Sequence, residues 1–174
     1  LEGGDVSALG ETTTLGGEDQ TGAPAPSGAG QAVGAVVPPA TVGGSELAVG
    51  EEDDFKRAQT ALSEGNHSAA AEQFAAFSRN YPGSPLSAGA ELGRGDALEA
   101  MGDTREAARA YLASFSVAPA GPLAAQALFR LGRSLGALAQ TSEACVTLAE
   151  VGVRFPADPA AASAAQEMQK LGCS

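Results

Sequence analysis

The stretch YPGSP at Tyr81–Pro85 returns as APAGP at Ala118–Pro122 and as FPADP at Phe155–Pro159, each 37 residues after the last. Proline lacks the backbone N–H and crowds the preceding helical turn, so Pro82, Pro119 and Pro156 are expected to stop helices. The second proline of each motif suits the first position of a helix, where its missing N–H costs nothing. Ser84, Gly121 and Asp158, directly before it, are residue types that cap helix N-termini. Each unit therefore reads as helix end, tight turn, cap, and a new helix starting at Pro85, Pro122 or Pro159.

Other columns keep the same register. Ala58, Gly95 and Gly132 stand 37 apart, as do Ala70, Ala107 and Ala144, and Phe74, Tyr111 and Leu148. Gly65 and Gly102 mark a second break inside each unit, with Ala139 as its third member. A fixed period of this size signals stacked repeats, and each unit is then a pair of helices. The small columns let the two helices of a hairpin approach closely, and Phe74, Tyr111 and Leu148 fill the gap between neighbouring hairpins. The order of small residue, Gly-Asp-type turn, A-x-x-x-aromatic and Pro resembles the tetratricopeptide repeat, lengthened from its usual span of about 34 residues in the proline turn. The expected fold is an all-α tetratricopeptide-repeat solenoid of three helix hairpins at about 52–84, 85–121 and 122–158. A C-terminal capping helix over 159–171 closes the stack, as terminal repeats must. It carries Ala161, Ala165, Met168 and Leu171 at roughly helical spacing, giving seven helices from about Glu52 to Leu171.

The N-terminal third differs in kind. Residues 1–54 hold twelve of the 23 glycines and four prolines, and no aromatic residue. Residues 1–51 are therefore read as a flexible, disordered linker that cannot bury enough surface to offset the entropy of ordering. The same stretch to Asp54 holds ten acids and no Lys or Arg, so nearly all of the formal charge of −11 lies in the linker and the start of the repeat domain, 52–174, and residues 55–174 are close to neutral. Glu51 to Asp54 suit the positive end of the first helix. With no basic stripe and no set of stacking aromatics, a nucleic-acid partner is not expected. No apolar run reaches the roughly 18 residues of a membrane span, so membrane insertion is not expected either. Without an initiator Met or a signal peptide, the chain reads as a processed or truncated piece of a longer protein.

Chemistry is sparse. The single histidine, His67, is expected in the turn between the first two helices, packed or exposed rather than catalytic. Carboxylates are scattered over helix faces without a metal-ligand cluster, and nucleophile, phosphate-loop and dinucleotide motifs are absent. No cofactor and no enzymatic activity are expected. The two cysteines say more. Cys145 falls on the second helix of the third unit, which packs on the terminal helix, and Cys173 ends the LGCS tail. Their pairing is sterically allowed. An even count without a metal pattern points to a disulfide in an oxidising compartment, the alternative being two separate buried thiols. A closed loop of about 29 residues would contribute roughly 3.5 kcal/mol in the chain-entropy account.

ALSEGNHSAAAEQFAAFSRNYPGSPL at Ala61–Leu86, EAC at Glu143–Cys145 and LGC at Leu171–Cys173 resemble the repeat domain of the YbgF family of the Tol-Pal system, also called the cell division coordinator CpoB family. The resemblance runs from Phe55 to Cys173. It implies a non-catalytic periplasmic adaptor, made as a precursor with a signal peptide. Such adaptors bind TolA and coordinate peptidoglycan synthesis by a class A penicillin-binding protein with outer-membrane constriction during cell division. It also implies trimerisation through an upstream coiled coil, so homo-oligomers of this chain are expected only where that segment is present. Two other readings are a repeat scaffold of an outer-membrane protein assembly complex and an accessory domain of a larger enzyme.

In repeat arrays of this type the first helix of each unit lines the concave face. The register places Phe55, Gln59 and Leu62 there, then Leu92, Asp96 and Glu99, then Phe129, Arg130 and Arg133. Apolar anchors flanked by opposite charges can clasp a peptide or helix; the other reading is a partly solvated helix face.

Overall fold

A computed structural model describes residues 49–173. The reading of residues 1–51 as linker falls outside the described residues up to position 48. Beyond it the first helix takes in Val49, Gly50 and Glu51, which the sequence reading gave to the linker. Seven helices follow: α1 (Val49–Ser63), α2 (His67–Asn80), α3 (Ser87–Ala100), α4 (Thr104–Val117), α5 (Ala124–Ala137), α6 (Thr141–Arg154) and α7 (Pro159–Leu171). Among the described residues there is no strand. His67 is the first residue of α2 rather than part of the preceding turn.

The proline motifs work one turn differently from the sequence reading. Only Pro159 is the first residue of a helix, with the Asp158 carboxylate accepting from the Ala160 N–H at 2.8 Å. Pro85 and Pro122 sit in a separate turn ahead of α3 and α5, which begin at Ser87 and Ala124. In the first of these turns the Ser84 hydroxyl accepts from the Leu86 N–H at 3.0 Å, and the Ser87 N–H donates to the Ser84 carbonyl at 3.0 Å. Ser84 thus caps a single turn that leads into the helix, a boundary shift of the size helix ends commonly show. The acidic run of α1 clasps this motif. The Ser84 hydroxyl donates to the buried Glu51, and the Tyr81 hydroxyl donates to Asp54 at 2.9 Å. The Tyr81 hydroxyl, with Arg57 beside it, holds Asp54 below the usual carboxylate range, so this clasp weakens as pH falls through that lowered value.

Each hairpin buries its apolar face against the first helix of the next. Phe74 and Phe77 of α2 join Ala58 and Ala61 of α1 and Ala90 and Ala97 of α3. Tyr111 of α4 gathers Leu92 of α3 with Ala127 and Leu131 of α5. Leu148 and Val151 of α6 meet Leu128 of α5 and Ala160 and Ala164 of α7. The small-residue column has a direct steric meaning: a Cβ added to Gly95 would stand 2.4 Å from a Tyr111 ring carbon, and one added to Gly132 would stand 2.6 Å from Leu148. Only a residue without a side chain leaves room for these knobs. Arg154 links the second and third proline turns. Its guanidinium carbon lies 4.8 Å from the Phe115 ring centre and 5.3 Å from that of Phe155, and it donates to the Pro119 carbonyl at 2.9 Å.

The break inside each hairpin demands a left-handed backbone: φ is 80° at Gly65, 83° at Gly102 and 60° at Ala139. A Cβ in that region costs about 1–2 kcal/mol. Ala139→Gly is therefore expected to stabilise the fold by about 1 kcal/mol, after the greater unfolded-state freedom of glycine is deducted. Urea denaturation reads this directly; an unchanged or lowered midpoint would show that the strain is relieved elsewhere.

Candidate partner-binding face

α1 touches α3 and α5 touches α7, whereas no comparably close pairing forms among α2, α4 and α6. The stack therefore bends toward its odd-numbered helices, which line the inner face. All nine residues assigned to the groove lie on α1, α3 and α5, but they do not act alike.

Leu92 is not an available anchor. It is only 7% exposed and belongs to the core around Tyr111. Phe55 is half-buried, its ring edge-on to Phe74 and Phe77 with centres 5.9 and 5.5 Å apart, and it abuts Gly89 of α3. Leu62 is half-buried against the same cluster, and Gln59 is exposed. At the first two units the apolar positions of the inner face thus serve packing.

At the third unit the face opens. Phe129, Arg130 and Arg133 of α5 share a pocket of about 320 Å³ with Pro122, Gln126 and the first turns of α7, namely Asp158, Pro159, Ala160 and Ser163. Gln126, Phe129 and Arg133 follow at i, i+3 and i+7, one stripe of the helix. The Arg133 guanidinium lies 5.8 Å from the Phe129 ring centre, where the ring's quadrupole attracts it. Phe129 is half-buried against the core shared by α5, α6 and α7, and offers its remaining apolar surface beside a cation and a side-chain amide. The sequence reading missed Gln126, which its i, i+3 relation to Phe129 could have disclosed, and it treated the FPADP motif as punctuation when its last two residues also wall this pocket.

The charges at the centre of the face are largely answered from within. Arg130 bridges from α5 to Asp96 of α3 at 2.7 Å and reaches Glu99 at 3.8 Å, while Arg133 reaches Glu99 at 3.4 Å. The Tyr111 hydroxyl stands 2.9 Å from Asp96 and 2.7 Å from Glu99. One phenolic proton faces two carboxylates, and Arg130 supplies the positive charge that lets both come close. Burial pushes the Asp96 carboxyl up, against the downward pull of Arg130 and of the Tyr111 hydrogen bond. Burial, followed by the bond to Glu99, pushes the Tyr111 phenol far up, so it stays protonated and able to donate at neutral pH.

Cys145 and Cys173 are bonded, with Cα atoms 5.6 Å apart. The bond joins α6 to the residue after the Gly172 cap of α7, and so holds in place the helix whose other end walls the Phe129 pocket. Among the described residues no group of three or more His, Cys, Asp or Glu side chains could hold a metal ion, and no helix is long and apolar enough to cross a membrane.

Comparison with known proteins agrees with this architecture. The tetratricopeptide repeat family matches residues 126–158, from within α5 to the cap of α7. Two crystal structures of the nearly identical TPR-like repeats of a candidate kinesin light chain from Podosopora anserina, one of them a point-substituted form, are similar in fold. Each has a TM-score of 0.56 at 16% identity, covering 69% of this chain and 64% of theirs. No curated protein matches the chain by sequence. The described residues thus have the fold of stacked tetratricopeptide-like repeats, and residues 126–158 match the repeat family itself.

Proposed function

We propose that this chain is a non-enzymatic periplasmic adaptor that binds a segment of TolA on the inner face of α5 and α7, and so helps to coordinate peptidoglycan synthesis with outer-membrane constriction. The observation that carries the binding reading is the Phe129 pocket. It is the part of the inner face where an aromatic ring, a guanidinium and a side-chain amide converge in a concavity while the neighbouring apolar positions are taken up by packing. The periplasmic assignment draws on the Cys145–Cys173 bond, which suits an oxidising compartment. The choice of TolA rests on the family resemblance of the EAC and LGC segments and the YPGSP turn.

Covering one large apolar side chain is worth about 1.5–3 kcal/mol, and about 1.4 kcal/mol is tenfold in affinity. Phe129→Ala is accordingly expected to weaken binding of the periplasmic part of TolA about tenfold or more in a calorimetric titration of the full chain. Arg133→Glu should act through charge, with an effect that fades as salt is raised. If both variants bind like the parent at equal helicity, the partner docks elsewhere. If the parent itself does not bind TolA, the identity of the partner is wrong.

A further inference from the structure

The outward face of α6 departs from the faces of α2 and α4 that correspond to it. Along α6, Ser142, Val146, Ala149 and Val153 follow at spacings of four, three and four, which is the a/d spacing of a helix that packs against another helix. In the 37-residue register the same positions carry Ser68, Glu72, Ala75 and Arg79 on α2, and Arg105, Arg109, Leu112 and Ser116 on α4. Val146 stands where the first two units carry Glu72 and Arg109, and Val153 where they carry Arg79 and Ser116. Val146 and Val153 are 69% and 79% exposed. Gly152 lies beside them with nothing within 4 Å of an added Cβ, so another backbone can come close.

The stripe is also its own complement. Glu143, exposed near the N-terminal end of α6, makes no ion pair among the described residues, and Arg154 stands exposed at the C-terminal end. Arg154 already bonds Glu150 at 3.1 Å and the Pro119 carbonyl and lies against the Phe115 and Phe155 rings, with 35% of its side chain still exposed. A twofold axis beside Ala149 sets Val146 of one copy against Val153 of the other, Ala149 at the crossing, and Glu143 within a turn of Arg154. Antiparallel helices also oppose their dipoles favourably. Self-complementarity under a twofold is what a symmetric dimer requires.

We propose that α6 is the seam of a weak antiparallel dimer between two copies of this chain, independent of any upstream segment and of the inner face. One helix stripe buries far less than the roughly 800 Å² per partner of a standard stable interface. The association is therefore weak, with a dissociation constant on the order of 10⁻⁴ M.

Sedimentation equilibrium of the full chain from about 10 µM to 1 mM tests it, with circular dichroism confirming equal helicity of every variant. The parent is expected to show a concentration-dependent monomer–dimer equilibrium, and Val146→Lys to weaken it at least tenfold. Combining Val146→Lys with Val153→Glu in one chain is expected to restore association, because each lysine then meets a glutamate across the twofold, whereas Val146→Lys with Val153→Lys is not. A parent that stays monomeric to 1 mM overturns the proposal. So does association that is insensitive to Val146→Lys, or a charge-paired double variant no better than the doubly lysine-substituted one.

Discussion

Tyr111→Ala is expected to be among the most damaging single substitutions in the repeat domain, at about 3–5 kcal/mol, the usual cost of truncating a buried aromatic ring. Tyr111 is fully buried, it is the knob over Gly95, and its hydroxyl joins two carboxylates that would otherwise repel each other. Truncation removes all three contributions at once. For a domain of this size the loss corresponds to a fall of about 10–20 °C in melting temperature. Tyr111→Phe separates the parts, since it keeps the ring and deletes only the hydrogen bonds to charged groups, worth about 1.5–3 kcal/mol. Thermal unfolding of the two variants gives the answer. An alanine variant within about 1 kcal/mol of the parent would mean that the core around Leu92 and Leu131 closes over the void.

Removing the disulfide, by Cys145→Ser with Cys173→Ser or by excess dithiothreitol, is expected to cost roughly 3.5 kcal/mol in the chain-entropy account. The loss should be local. α7 is thirteen residues long and rests on the array through Ala160 and Ala164, with Met168 and Leu171 half-buried. A helix of this length has little stability of its own, and in a stack of repeats the terminal unit frays first. Hydrogen exchange should therefore show loss of protection across Ala160–Leu171 while α1 to α4 keep theirs. Because Asp158 to Ser163 wall the Phe129 pocket, ligand affinity should fall with it. Unchanged protection in α7 after complete reduction would show that its packing alone suffices.

How much of this was legible beforehand varies by level. The 37-residue columns specify the helices, their pairing into hairpins and the place of Tyr111 between neighbouring hairpins, because packing in a repeat array is itself periodic; its seat on Gly95 came only with the structure. The inner-face positions were legible as a register and not as roles. Phe55 and Leu92 occupy corresponding places on α1 and α3 to Phe129 on α5, yet Leu92 is buried, Phe55 is half-buried under aromatic rings, and Phe129, equally half-buried, has its free side on a pocket. What covers Phe55 is α2 and α3, and what covers Leu92 is the core around Tyr111; at Phe129 only α7 follows, and it supplies alanine, serine and proline. The network of Tyr111, Asp96, Glu99 and Arg130 was hidden for another reason. Asp96 and Glu99 are neighbours along α3, but the arginine arrives from α5 and the phenol from α4, so no local spacing encodes it.

The Arg130–Asp96 bridge also has a mechanical side. On the inner face charge ties α3 to α5, while behind it the same two helices are held through apolar packing on Tyr111. Curling the array further toward this face would part the apolar contacts behind it, whereas straightening it would stretch the ionic tie and press on packing that is already dense. The two sets of contacts oppose opposite motions, and together they hold α3 and α5 at one angle.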